Sequence, residues 1–110
     1  MAYNVQITKK AENDLDSFVK YISENLKNPK AALNLLNDFL EQKNYLAESP
    51  YMYPLCPDLR LQNEKYHRFI FYKNYIALYL IEENDDKSEF EGTVIIMRLF
   101  YAKSDYGKLI

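Results

Sequence analysis

The sequence predicts an α+β protein in which a helical hairpin packs on one face of a small, mainly antiparallel sheet. Three observations support this fold class. Residues 3–8 alternate with period two, residues 9–47 hold two stretches of helical periodicity, and period two returns from residue 65. The predicted element order is therefore β-α-α-β-β-β followed by a short C-terminal tail. A chain of 110 residues is expected to form a single domain, residues 1–110.

The first strand leads directly into the first helix. Apolar and polar residues alternate from Tyr3 to Thr8, which predicts a strand with one face on the core. Thr8 is expected to cap the helix, because a threonine hydroxyl accepts a hydrogen bond from an otherwise unpaired amide of the first turn. The helix is predicted from about Lys9 to Leu26. Its apolar face consists of Ala11, Leu15, Phe18, Val19, Ile22 and Leu26.

A second amphipathic helix is predicted from Pro29 to about Ala47. Asn28 is its expected cap, and proline suits the first helical position. The link between the two helices is so short that they must lie roughly antiparallel. The apolar stripe of the second helix consists of Ala32, Leu35, Leu36, Phe39, Leu40, Lys43 and Leu46.

The segment after the helices is rich in proline. Pro50, Pro54 and Pro57 exclude a helix or a central strand between residues 48 and 64. The apolar side chains between these prolines predict an ordered loop that lies against the body of the domain.

Three strands follow. Residues 66–72 and 75–81 are predicted to form a tight hairpin, joined by a two-residue link whose asparagine, Asn74, tolerates a positive φ. The last strand is predicted from Gly92 to Tyr101. The first strand is expected to pair within this sheet, since a lone strand is not stable. The sheet face opposite the helices is expected to be open near its rim.

Composition excludes several classes of protein. No apolar run approaches the ~20 residues that a membrane-spanning helix needs, and the N-terminal residues do not resemble a signal peptide. The single cysteine, Cys56, cannot form an internal disulfide, which agrees with a reducing compartment. We therefore predict a cytoplasmic protein without membrane association.

The charge is unevenly distributed. Residues 82–91 contain six acidic residues and one lysine, a net charge of −5. Because the whole chain carries −2, the remaining hundred residues carry +3. A solvated acidic turn next to a mildly basic body is the simplest interpretation, and it weakens any case for nucleic-acid binding based on pI alone.

The residue content predicts neither a metal nor a cofactor. One histidine, one cysteine and no paired carboxylates at ligand spacing do not make a zinc or iron site. With only Gly92 and Gly107 there is no glycine-rich phosphate loop. A Cys56–His67 nucleophile and base pair is disfavoured, because Cys56 lies in the proline-rich segment.

The remaining candidates for chemistry are arginine, lysine, tyrosine and His67. Arginine and lysine could stabilise the dianionic transition state when an RNA 2′-hydroxyl attacks its own phosphodiester, and tyrosine or histidine could transfer the proton. The same residues could equally bind an acidic protein surface without any reaction. Arg98 lies within an apolar strand, so it needs either a structural ion pair or a functional role.

Four sequence motifs, in this order, resemble the RelE/ParE superfamily of toxins from type II toxin–antitoxin systems. The first two are Tyr3-x-Val5-x-Ile7-Thr8-x-x-Ala11-x-x-Asp14-Leu15 and Tyr21-Ile22 followed by Leu26-x-Asn28-Pro29-x-Ala31-Ala32. The third is Tyr66-x-Arg68 followed by Asn74-Tyr75-x-x-x-Tyr79. The last is Arg98-Leu99-Phe100-Tyr101-Ala102-Lys103-Ser104-Asp105-Tyr106.

The resemblance implies a growth-inhibiting toxin held inactive in a hetero-oligomer with a cognate antitoxin. RelE-like members cut messenger RNA on the ribosome without a metal, whereas ParE-like members inhibit DNA gyrase. Ile76 stands where the ribonuclease branch tends to have an arginine, and Tyr101-Ala102 replaces the more usual His-Gly pair. A body charge of +3 is also modest for a ribosome-directed nuclease. Tyr101 keeps a proton carrier, but the missing cation at Ile76 and the modest charge favour a ParE-like toxin that binds a protein target such as gyrase.

The resemblance implies two different sets of site residues. For a RelE-like ribonuclease acting on the ribosome and its message, the catalytic residues would be Arg98, Tyr101 and Lys103. For a ParE-like toxin, the residues expected to contact the target are Arg68, Tyr75, Asp105 and Tyr106. A third alternative is a degenerate member that only binds its antitoxin.

Overall fold

The computed structural model describes residues 3–84 and 90–102. Four strands form one sheet in the order β1-β4-β3-β2, with β1 parallel to β4 and the other neighbours antiparallel. The strands are β1 (Asn4–Ile7), β2 (His67–Phe71), β3 (Tyr75–Glu83) and β4 (Gly92–Tyr101). The helices are α1 (Lys9–Lys20), α2 (Pro29–Glu48) and α3 (Leu59–Asn63). The predicted α+β class is confirmed, and β1 pairs within the sheet as expected.

Both predicted helix caps are present. The Thr8 hydroxyl accepts a hydrogen bond from the Ala11 amide (3.1 Å), and the Asn28 side chain accepts one from the Ala31 amide (3.1 Å). The first helix ends earlier than predicted, because a π-helical turn at Tyr21–Asn25 follows α1. This wider turn leaves Leu26 57% exposed, so the prediction that Leu26 belongs to the buried face is wrong.

The main core lies between the helical hairpin and one face of the sheet. Helix α2 contributes Leu35, Phe39 and Leu46, which are at most 1% exposed. Leu40, predicted to lie on the same stripe, is 42% exposed. The sheet contributes Phe69, Phe71, Ala77, Tyr79, Val94, Ile96 and Leu99.

The proline-rich segment contains a helix that the sequence interpretation excluded. Helix α3 begins after the last proline of the segment, and the Asp58 carboxylate caps it through the Leu61 amide (3.2 Å). Leu61 packs with Cys56 against the sheet face opposite the hairpin. This face is therefore partly covered, although Ile70 on the same face is 49% exposed.

The β2–β3 turn also differs from the prediction. It has three residues, 72–74, and the positive φ angles fall on Tyr72 (47°) and Lys73 (67°) instead of Asn74.

Strand β3 extends to Glu83, and residues 85–89 of the acidic segment lie outside the described residues. No helix in the described part of the chain has both the length and the apolar character that crossing a membrane requires.

Candidate functional site

A β-bulge in β4 decides where the predicted site residues point. Leu78 pairs with Arg98 but Tyr79 pairs with Ile96, so Met97 is an extra residue in β4. A bulge shifts the alternation of side chains by one position. Before it Val94 and Ile96 face the main core, and after it Leu99 does. The bulge therefore places Arg98 on the face opposite the hairpin and Tyr101 on the hairpin face.

Arg98 is held by a carboxylate of the same chain. Its Nε atom donates to Asp14 Oδ2 (2.8 Å) and its Nη2 atom donates to Asp14 Oδ1 (3.2 Å). Asp14 Oδ2 also accepts the Leu99 amide (2.9 Å), and the guanidinium lies 4.8 Å from the centre of the Phe100 ring. The hydrogen bond to Asp14 raises the pKa of Arg98 above its usual value, although burial opposes the shift. The partner that Arg98 was expected to need is thus Asp14.

Tyr75 and Tyr101 lie side by side. They are paired across β3 and β4, and their ring centres are 5.5 Å apart in an edge-to-face arrangement. The Tyr75 ring also lies 4.8 Å from Phe18 of α1. Burial and, to a smaller degree, the neighbouring phenols raise the pKa of Tyr75. Its hydroxyl is protonated at neutral pH, as in a free tyrosine, and the raised pKa makes it still less suited to proton abstraction.

Both tyrosines line a cavity of about 690 Å³ between the α1–α2 connection and the β2–β3 turn. We call it the tyrosine cavity. Its walls combine four phenol rings, one phenyl ring, three aliphatic side chains and two amides. They are Tyr21, Tyr72, Tyr75, Tyr101, Phe18, Ile22, Leu26, Ala31, Asn28 and Asn74.

The structure does not bring all the predicted site residues together. Arg68 pairs with Leu78, and Leu78 pairs with Arg98, so the two arginines lie on one face two strands apart, about 10 Å by strand spacing. Tyr75 and Tyr101 face the hairpin instead. Lys103, Asp105 and Tyr106 lie outside the described residues.

The His67 side chain makes contacts that belong to the fold. Its Nδ1 atom lies 2.9 Å from the Tyr53 carbonyl, and its ring stacks on Tyr79 at 5.3 Å. Within residues 3–84 and 90–102, no group of three or more potential metal ligands comes together.

Sequence reasoning missed two features of this region. Asp14 stands in the first motif that resembles the toxin superfamily, but its pairing with Arg98, 84 residues away, cannot be deduced from helical spacing. The tyrosine cavity was missed because its walls come from four separate segments. The sequence signal that could have indicated the cavity is the presence of two of its lining residues, Tyr21 and Asn74, in the motifs that resemble the toxin superfamily.

Comparisons with known proteins agree with this architecture. A chain of the solved "Chromosomal ParDE TA system from P. aeruginosa" superposes with a TM-score of 0.67 at 18% sequence identity. The match covers 92% of this chain and 97% of that chain, and at this identity it shows a shared fold. No curated protein matches the sequence.

The fold is thus one found in a toxin–antitoxin system. The model of the family described as "ParE toxin of type II toxin-antitoxin system, parDE" matches residues 5–106. The protein belongs to this family and is a type II toxin of the ParE type. The predicted superfamily is confirmed, and the ribonuclease alternative is not favoured. Membership of the family also implies an antitoxin partner.

Proposed function

We propose that this toxin inhibits growth by binding a cytoplasmic protein target, with DNA gyrase as the target to test, and that it does not cut RNA. Release from a cognate antitoxin would activate it. The observation that carries the proposal is the state of Arg98, the arginine on which a ribonuclease site at this position would depend.

Arg98 is poorly suited to stabilise a phosphodiester transition state. Such a role requires donors that point at the developing charge. Two donors of the Arg98 guanidinium are already directed at the Asp14 carboxylate, and its face lies on the Phe100 ring. An RNA phosphate would have to compete with a fixed carboxylate for these donors.

Neighbouring positions point to binding as well. Ile76 is 3% exposed in the smaller core cluster and cannot supply a cation. Burial raises the pKa of Tyr75, which makes its phenol less able to act as a base and leaves it suited to hydrogen bonding. Protonated phenols and arginine are typical of protein interfaces. We therefore propose Arg68, Tyr75, Asp105 and Tyr106 as target contacts.

The proposal is tested by adding the purified toxin to a DNA supercoiling reaction of purified gyrase. We expect dose-dependent inhibition that disappears when the toxin is first mixed with its antitoxin. Arg68→Ala should raise the half-inhibitory concentration about fivefold or more, as for a typical interface arginine. The matched control is Arg60→Ala, whose side chain pairs with Glu64 on α3 and is expected to leave inhibition within about twofold.

Unimpaired supercoiling at a large excess of folded toxin would refute gyrase as the target. Cleaved message in a translating extract, abolished by Arg98→Ala or Tyr101→Phe, would instead establish the ribonuclease alternative. Normal growth of cells that express the toxin without its partner would indicate a degenerate member that only binds its antitoxin.

A further inference from the structure

The tyrosine cavity has the size and lining of a small-ligand site. Its volume of about 690 Å³ lies within the roughly 300–1,000 Å³ common for such sites. Four phenol rings surround it, and Tyr75 and Tyr101 present their rings at an angle of 69° to each other. Stacked or edge-on aromatic rings favour a flat aromatic ligand over a globular aliphatic one.

The polar groups of the cavity are neutral. Among the described residues that line it, the hydrogen-bonding side chains are tyrosine hydroxyls and the amides of Asn28 and Asn74. Amides offer both a donor and an acceptor, the pattern that pairs with the edge of a nucleobase. The Asn28 side-chain oxygen already accepts the Ala31 amide, so the NH2 group is the part of this amide that can donate to a base.

Two lysines flank the cavity along the chain. Lys27 stands between the lining residues Leu26 and Asn28, and Lys73 stands between Tyr72 and Asn74. Both are exposed, and both adopt a positive φ, 51° at Lys27 and 67° at Lys73. Glycine or asparagine would adopt this conformation with less strain. The chain instead places a cation at each of these turns, next to an aromatic cavity.

We propose that the tyrosine cavity binds a single unpaired nucleotide, with its base among the tyrosine rings and its phosphate near Lys27 and Lys73. Aromatic stacking combined with a cationic rim is how proteins bind single-stranded nucleic acid without sequence readout. The ligand is either a free nucleotide or one nucleotide of a single strand. The proposal concerns binding alone, and Tyr75 is the residue that it shares with the target contacts proposed above.

The test measures nucleotide binding by the isolated toxin. Fluorescence anisotropy measures the binding of labelled eight-nucleotide single strands and of a duplex of the same length. NMR chemical-shift changes of the asparagine side-chain amides measure the binding of AMP. We expect the duplex to bind at least tenfold more weakly than the single strand, because paired bases cannot enter the cavity. With two phosphate contacts, the logarithm of the binding constant should fall by about 1.4 per decade of salt concentration.

Variants of the cavity wall locate the base. Tyr21 is 52% exposed at the cavity, so Tyr21→Ala should preserve the fold and weaken binding about five- to a hundredfold through lost stacking. Tyr45→Ala is the matched control, since Tyr45 is 47% exposed on α2 and does not line the cavity. Thermal melting confirms that each variant is folded.

Variants of the flanking lysines locate the phosphate. The double change Lys27→Gln and Lys73→Gln should flatten the salt dependence, because it removes both proposed phosphate contacts. Lys65→Gln should leave the salt dependence unchanged. Lys65 is the matched control because it is also exposed and also has a positive φ, 68°, but stands next to no residue that lines the cavity.

The outcomes decide both the proposal and the source of the ligand. Saturable binding of AMP as tight as that of the strand identifies a free nucleotide, and much tighter binding of the strand identifies nucleic acid. Three results would overturn the proposal: no saturable binding of either probe, equal binding of the duplex, or binding unchanged by Tyr21→Ala. None of these results bears on gyrase inhibition, which is measured separately.

Discussion

At the scale of single residues, Asp14 links two elements of the candidate site. Its carboxylate accepts hydrogen bonds from the Arg98 guanidinium and from the Leu99 amide, and so ties α1 to the end of β4. Both side chains of the pair are largely buried, 25% exposed for Arg98 and 17% for Asp14. A charged pair in this position is costly to break, since the remaining charge would be left without its partner.

Asp14→Ala is therefore expected to lower the free energy of unfolding by roughly 1.5–3 kcal/mol, the range for hydrogen bonds to a charged group. Urea unfolding measures the change. Glu12→Ala serves as the control, because the Lys9–Glu12 pair is exposed and its atoms are 3.9 Å apart. A loss no larger for Asp14→Ala than for Glu12→Ala would show that the pair does not support the fold.

At the scale of elements, Thr8 connects a strand, a helix and the bulge. Its hydroxyl accepts the Ala11 amide at the start of α1 and donates to the carbonyl of Met97, the bulged residue (2.8 Å). Its own amide donates to the Ile96 carbonyl (3.0 Å). One residue thus ends β1, begins α1 and stabilises the bulge that turns Arg98 away from the main core.

Thr8→Ala should cost about 1–2 kcal/mol, since it removes a helix cap and leaves the Met97 carbonyl without this donor. Thr8→Ser keeps the hydroxyl and should recover most of the loss. The two variants are compared by thermal and urea unfolding. If serine were as destabilising as alanine, the methyl group of Thr8 and not its hydroxyl would be the stabilising feature.

At the scale of the whole molecule, tyrosine hydroxyls connect segments that are distant in sequence. The Tyr3 and Tyr51 hydroxyls both donate to Glu83, and the buried Tyr79 hydroxyl donates to the Pro50 carbonyl (2.8 Å). The hydrogen bond to Glu83 and, secondarily, burial raise the pKa of Tyr51 to about 12. Burial raises the pKa of Tyr79 above its usual range as well.

These shifts predict a loss of stability at alkaline pH. An unfolded tyrosine ionises near pH 10, whereas folded Tyr51 keeps its proton until about pH 12. Its contribution is fully present below pH 10 and declines as the pH rises from 10 to 12. Free energies of unfolding measured between pH 8 and 12 should show this decline, and Tyr51→Phe should make it shallower. Identical slopes for Tyr51→Phe and wild type would disprove the contribution of Tyr51.

Much of the fold could be predicted because its signals are local. Thr8 and Asn28 cap helices through contacts three residues away, and period-two alternation depends only on neighbouring side chains. The predictions failed where contacts between distant segments override a local sequence rule. The high proline content argued against any helix in residues 48–64, yet α3 begins just past Pro57. In the hairpin turn, the positive φ angles are adopted by Tyr72 and Lys73.

The sequence alone determined the α+β class, the helical hairpin and the resemblance to the toxin superfamily, because short-range periodicity, caps and motif order are all carried by neighbouring residues. Only the tertiary structure decided what surrounds Arg98 and Tyr101. Strand alternation puts these two side chains on opposite faces of the sheet, and the one-residue bulge at Met97 decides that Tyr101, not Arg98, faces the hairpin. Its position depends on strand pairing and on contacts from Thr8 and Asp14, more than eighty residues earlier in the chain. Such long-range contacts leave no periodic signal in a single sequence.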